Sequence, residues 1–452
     1  MRSALLLLIV FGAIPIIFMK PYVGTLMWAW FSYFNPHRFT WGITYDFPFA
    51  LIIASVTIVA WVLSREPKRY PNCAITWLLA LLAFWMTITT ITALEPSSAF
   101  AKWGNVMKVL GMTVVTMTLI GSRERINGLI WVTAASLGFF GIKGGIFVIL
   151  TGGNFLVWGP PGSALAANNA IGLALVVTIP LIRYLQLETK SWIVYLGLGA
   201  AIGLSSIAVL ATYSRGAALA LGGMFVFMWL KSRHRALIAT MAAIAVAAGL
   251  TVMPEKLSNR INSIQDYQSD WSSMDRIKMW RYAFNLAMDR PLVGGGFDII
   301  DKSKFYPRFG LQICQGPAIF LSPEDPCVLK SRTAHSIYFE ALGEHGFVGL
   351  ILYLALGATT FFTGGWVIRA SRKHDDLAWA GNLAAMLQVS IAGFAMAGIF
   401  VNKTYLDLYF SLVAIMAVTR MLVAERLSES AKAKVETAPQ SGPVGAPSAS
   451  RA

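Results

Sequence analysis

The chain is a succession of long apolar runs with Lys and Arg gathered between them, and no other feature restricts its fold as tightly. Continuous apolar runs of about 20 residues have the length of a membrane-spanning helix, whereas membrane β-barrels alternate apolar and polar residues over segments of about ten. Of the 452 residues 56% are hydrophobic and 13% charged, against roughly 45–50% and 25% in soluble domains. These values exclude a cytosolic enzyme and predict an all-α polytopic membrane protein.

A formal charge of +15 would point a soluble protein toward nucleic acid. Here the basic residues form clusters between apolar runs: Arg65-Lys68-Arg69, Arg123-Arg125, Arg183-Lys190, Lys231-Arg233-Arg235 and Arg369-Arg372-Lys373, with Arg2 at one end and Arg420-Arg426 at the other. Short loops rich in Lys and Arg stay on the cytoplasmic side, so every cluster is assigned there and no nucleic-acid partner is expected. Two cytoplasmic clusters must be separated by an even number of crossings, and about 12 transmembrane helices satisfy this with both termini cytoplasmic. Nine fall within residues 1–253 and three within residues 346–424.

The Trp-rich segment near residues 22–34 is short and flanked by Lys20 and Asn35-Pro36-His37-Arg38. Counting it as a span would place Arg65-Lys68-Arg69 outside, so it reads as an interfacial or re-entrant helix on the outer side. The first apolar run lacks a small-x-small cleavage site before Lys20-Pro21 and is expected to remain as a span. Residues 425–452, built of Ala, Ser, Pro, Gly, Glu and Lys, read as a disordered cytoplasmic tail. Residues 254–345 form one large, partly helical loop on the outer face, with eleven basic and eleven acidic residues. The excess charge of the protein is therefore an orientation signal. Cys314 and Cys327 share this loop, while Cys73 falls at a cytoplasmic helix end, a partition that suits a disulfide in an oxidising compartment, with two free thiols as the alternative.

Ionisable residues in or beside spans are costly and are functional candidates by default. Lys143, within Phe139-Phe140-Gly141-Ile142-Lys143-Gly144-Gly145, lies about two turns short of the outer end of its span; it either binds an anion or snorkels past the glycines. Arg215 opens a helix after Thr212-Tyr213-Ser214, where free N–H groups, the helix dipole and a guanidinium converge on an anion. In the outer loop Arg276, Ile277, Trp280, Arg281 and Phe284 have helical spacing, so Arg276 and Arg281 are anion-binding candidates, with Lys278 and Arg290 on a solvated face. His335, where the loop re-enters the membrane, can accept a proton from an attacking hydroxyl near neutral pH; His345 and His37 are rivals on the same side. Asn168-Asn169 caps a span or binds sugar, and Gly294-Gly295-Gly296 lacks the Lys-Ser/Thr of a phosphate loop and reads as a turn. No paired Asp motif supports a divalent metal site, and Asp46 and Glu95 read as solvated.

Tyr213-Ser214-Arg215-Gly216, then a long outer loop, then His335-Ser336 followed by nine residues to Gly346 and Gly349 resembles the O-antigen ligase and polymerase superfamily. The His-Ser, nine-residue gap and Gly-x-x-Gly match its ligase pattern, and the likeness covers nearly the whole chain except the tail. The opening stretch and Pro160-Pro161-Gly162-Ser163 through Asn168-Asn169 look like the exosortase-associated O-glycosylation ligases. The resemblance implies a GT-C-like glycosyltransferase of the bacterial inner membrane. It would need no metal or other cofactor and would move a glycan from undecaprenyl diphosphate to lipid A-core oligosaccharide, or to protein, at the periplasmic face. On this sequence His335 would activate the acceptor hydroxyl, and Arg215 and Arg276 would hold the diphosphate. Arg281 and Lys143 are added from position alone. A polymerase of the same superfamily and a lipid-linked sugar transporter are the competing readings; internal repeats typical of carriers are not evident.

Overall fold

A computed structural model describes residues 1–231, 271–310 and 333–436, and among these the regular structure is helical, with no strand. The helices are α1 (Arg2–Met19), α2 (Tyr22–Phe34), α3 (Phe49–Leu63), α4 (Ala74–Ile91), α5 (Pro96–Leu119), α6 (Arg123–Leu150), α7 (Asn168–Glu188), α8 (Trp192–Leu210) and α9 (Arg215–Lys231). After residue 270 come α10 (Trp271–Asp289), α11 (Tyr306–Gly310), α12 (Ile337–Ser371), α13 (Ala378–Gly398) and α14 (Asp407–Glu436). Eight regions of the described chain are long and apolar enough to cross a membrane, and each coincides with an expected span. The chain is a multi-pass membrane protein. The expected span at 236–253 and the Cys314–Cys327 pair lie outside the described residues.

Helix α7 forms the centre of the bundle. Its window is 89% buried, because α6, α8, α9 and α13 surround it, and such a helix must be apolar on every side. Small residues let the neighbours approach: a side chain at Gly145 would run into the Leu204 carbonyl, and one at Gly172 would meet Ala217. Close packing of this kind drives helix association in lipid.

Basic residues of three clusters meet on one end of the bundle and are paired there. Arg125 holds Glu66 through both carboxylate oxygens, at 2.7 and 3.1 Å. Arg123 reaches Glu188 at 2.8 Å, Arg426 reaches Asp376 at 2.6 Å and Arg69 reaches Glu425 at 3.4 Å. We call this end the basic face and the other the far face.

Relative to these faces, the expected topology needs correction at the N-terminus. Helix α2 does not lie on the surface; it stands parallel to α6, with Arg125 4.5 Å over the Tyr22 ring at one end and Phe34 5.2 Å from Phe139 at the other. It therefore runs from the basic face toward the far face. Helix α3 returns antiparallel to it, pairing Phe49 with Phe31 at 5.4 Å. Helix α1 lies parallel to α3, with Leu6 and Val10 against Phe49 and Ile53 and with Ala13 and Ile17 against Ala60. Ser3 accordingly touches the far-face segment at Trp41 and Thr44. The N-terminus thus sits on the face opposite the Arg426 end of α14, so the two termini do not share a side. The parity argument failed because it gave the single exposed residue Arg2 the weight of a cluster.

Two expected boundaries also move. Helix α12 begins at Ile337, inside the stretch read as loop, and breaks at Gly346, where the span was expected to start. Helix α14 continues to Glu436 instead of ending at 424, since Glu429 to Glu436 is rich in Ala, Lys and Glu, all strong helix formers.

Candidate functional site

The far face carries a second, smaller core that determines where the candidate residues sit. Met279, Tyr282, Ala283 and Leu286 of α10 pack with Ile299, Ile300, Phe309 and Ala334, on the 3.6-residue spacing of an amphipathic helix. The Trp280 indole N–H donates to the Ala334 carbonyl at 2.8 Å, and its ring stacks on Phe339 at 5.1 Å with 6° between planes. Helix α10 is thereby clamped across the start of α12, beside His335.

His335 adopts φ +46°, in the left-handed region. The other non-glycine residues there among the described chain are Asn35, Asp298 and Tyr213. Asn and Asp tolerate this conformation, whereas Tyr213 does not, and Tyr213 stands two residues before Arg215. Strain of this kind costs about 1–3 kcal/mol and persists where surrounding structure enforces it. At Tyr213 the restraint is a hydrogen bond from its hydroxyl to the Gly153 carbonyl, and Asn168 Nδ2 donates to the adjoining Thr212 carbonyl at 2.9 Å. Asn168 thus has a structural role.

The half-buried His335 ring has its Nδ1 buried without a hydrogen-bond partner among the described residues, as has the Oγ of the adjoining Ser336. Burial and then the Arg276 charge hold the imidazole below its ordinary pKa, with Glu340 opposing. The ring is therefore kept neutral and able to accept a proton. Arg215 opens α9, which packs on α13: a side chain at Gly216 would meet Phe400, and one at Gly398 would meet Ile337, two residues after His335. Arg276 is thus brought beside His335, while Arg215 opens a helix packed on α13, whose end meets Ile337.

The structure does not bring the other candidates there. Arg281 lies about 140° around α10 from Arg276. Lys143 is exposed on α6 and makes no hydrogen bond or ion pair among the described residues. Lys278, expected on a solvated face, is 1% exposed, because α10 is enclosed between α11 and α12. Arg290 donates to the Thr92 carbonyl at 2.6 Å. Of the rival histidines, His345 is enclosed and occupied by Thr89 at Nδ1, 2.7 Å, and Tyr405 at Nε2, 2.8 Å. His37 stacks on Phe31 in the N-terminal corner, 6.0 Å between ring centres.

Sequence reasoning missed the ionic cluster beneath the site. Lys102 Nζ lies 3.2 Å from Glu340, 2.9 Å from Glu344 and 3.1 Å from Asp298. Glu340 also accepts from Thr404 Oγ1 at 2.6 Å, and Glu344 from Tyr405 at 2.6 Å and the Asp298 N–H at 2.9 Å. The cluster ties α5, the 298 loop and the 404–405 loop to the first turns of α12. Its one signal in the sequence was Glu340 and Glu344 at i, i+4, which places both on one helix face.

The break at Gly346 completes the scaffold. With φ +69° and ψ −172° it leaves carbonyls without helical partners, and each is met: Gly343 by the Gly295 N–H at 2.9 Å, Glu344 by Gly296 at 2.9 Å and His345 by the Trp85 indole at 3.1 Å. The Phe347 N–H donates to Pro291 at 2.8 Å. A side chain at Gly294 would lie 2.6 Å from Gly346 N, so the triple-glycine turn is the piece that fits against the broken helix.

Residues 200–354 match the O-antigen ligase family, and residues 1–190 match a domain family of unknown function. No curated protein matches the chain. The first region holds Arg215, Arg276, His335 and the Gly346–Gly349 pair, so the site described above falls within it. The chain thus carries an O-antigen ligase domain at residues 200–354, which supports the O-antigen ligase superfamily.

Proposed function

We propose that the protein is an O-antigen ligase that transfers a glycan from undecaprenyl diphosphate to lipid A-core oligosaccharide, with its far face toward the periplasm and its basic face toward the cytoplasm of the inner membrane. The observation that carries this reading is a left-handed, neutral-biased His335 beside Arg276 inside the O-antigen ligase domain, which also contains Arg215.

The chemistry follows from these groups. His335 Nε2 takes the acceptor hydroxyl proton as that oxygen attacks the anomeric carbon; the bond from that carbon to the diphosphate oxygen breaks, and the electron pair leaves with undecaprenyl diphosphate. Charge grows on the diphosphate in the transition state, so guanidinium groups placed there accelerate transfer if they bind it more tightly than the ground state. In this reading the two guanidinium groups take the place of a metal ion. One base opposite the leaving group gives inversion at the anomeric carbon, as in single-displacement glycosidases. The apolar helices around the site leave the polyprenyl chain in lipid while the sugars react in water.

The test is to mix purified full-length protein with an undecaprenyl-diphosphate-linked glycan and lipid A-core, in chelator. Joined product is expected. Glycan ladders without acceptor would replace the ligase by a polymerase, and product with a protein acceptor alone would move the acceptor class.

A further inference from the structure

An apolar cavity lies away from His335. It is an apolar groove of about 450 Å³ between α2 and α6, walled by Val23, Leu26, Trp30, Phe34, Val132 and Phe139 among others. It lies wholly within residues 1–190, the region whose family has no known function.

Helical geometry places a charge over one end of it. On α6 the wall is made by Val132, Ala135, Ser136 and Phe139, and at about 100° per residue Lys143 continues that stripe, roughly one turn beyond Phe139. Helix α2 stops at Phe34, level with Phe139, so the groove opens beneath Lys143 on the far-face side. The lysine is exposed and unpaired among the described residues. An apolar trough under a single ammonium is complementary to one chain and one phosphate of a membrane lipid.

We propose that the α2–α6 groove with Lys143 is a binding site for an anionic phospholipid of the bilayer, its acyl chain between α2 and α6 and its headgroup phosphate at Lys143. A bilayer lipid is favoured over the polyprenyl donor because, on the proposed function, Arg215 and Arg276 hold the diphosphate, and no described contact joins Lys143 to either. The lipid would fill the side of α2, whose 13 residues reach only about 20 Å and fall short of the hydrocarbon core.

The experiment is native mass spectrometry of the full-length protein titrated with phosphatidylglycerol, phosphatidylcholine or undecaprenyl phosphate. Phosphatidylglycerol should be retained in preference to phosphatidylcholine, and Lys143→Ala should weaken its retention about fivefold, the effect of one lysine beside an anionic headgroup. Ala135→Trp, at an exposed groove position, should reduce retention of phosphatidylglycerol with Lys143 intact. Equal retention by Lys143→Ala and the parent would overturn the site. Retention of undecaprenyl phosphate that exceeds phosphatidylglycerol and depends on Lys143 would overturn the bilayer-lipid assignment. Because the readout is bound lipid, failure here is distinguishable from failure of the transferase reading.

Discussion

At the scale of single residues, the charges around His335 make opposite and separable predictions. Arg276 lowers the imidazole pKa and Glu340 raises it, and the base acts only when neutral, so transfer declines as pH falls through this pKa. Arg276→Gln should shift the acidic limb of the kcat/KM profile to higher pH, and Glu340→Gln should shift it to lower pH; limbs that stay fixed would detach these residues from His335. Lys102 provides a third test. Replacing it by Met leaves Glu340, Glu344 and Asp298 facing one another, and loss of one partner from a buried pair costs on the order of 3 kcal/mol, which thermal unfolding would register. His335 and Arg215 stood out in the sequence as ionisable groups at span ends, and Arg276 by its helical spacing in the outer loop. Lys102 did not, because its three acidic partners come from positions 298, 340 and 344, and a contact between distant positions leaves no local pattern.

At the scale of elements, the broken helix α12 and the triple-glycine turn act as one part. Gly346→Ala would hold an L-residue at φ +69° and press its Cβ against the carbonyls of Pro291 and Leu292. A loss of at least about 1–3 kcal/mol is expected from the backbone alone, with transfer lost in step because the break fixes the segment that carries His335. A Gly346→Ala protein with unchanged melting temperature would show that the break is dispensable. The helices themselves were readable from apolar length, but the break was not: Gly346 and Gly349 were visible as a spacing, while the need for a left-handed residue arises only when residues 291–296 are folded against it.

At the scale of the whole molecule, the order of helices was legible and the sidedness of the N-terminus was not. Charge counting treated Arg2 as equal to a paired cluster, and it rejected α2 as a crossing. The contacts of Ser3 with the far-face segment and of Tyr22 with Arg125 predict that a membrane-impermeant thiol reagent applied to intact cells modifies a cysteine placed at Ser3 but not one placed at Ser428. Equal modification of both would restore termini on one side. The O-antigen ligase domain at residues 200–354 gives the general activity, and the far-face site around His335 is where this account places the reaction. The most direct test is single-turnover transfer by His335→Ala, with donor binding measured on the same protein. The account predicts that transfer falls by about 10²–10⁴, the usual contribution of a general base, while donor affinity is kept; transfer near the parent rate with donor still bound would contradict it.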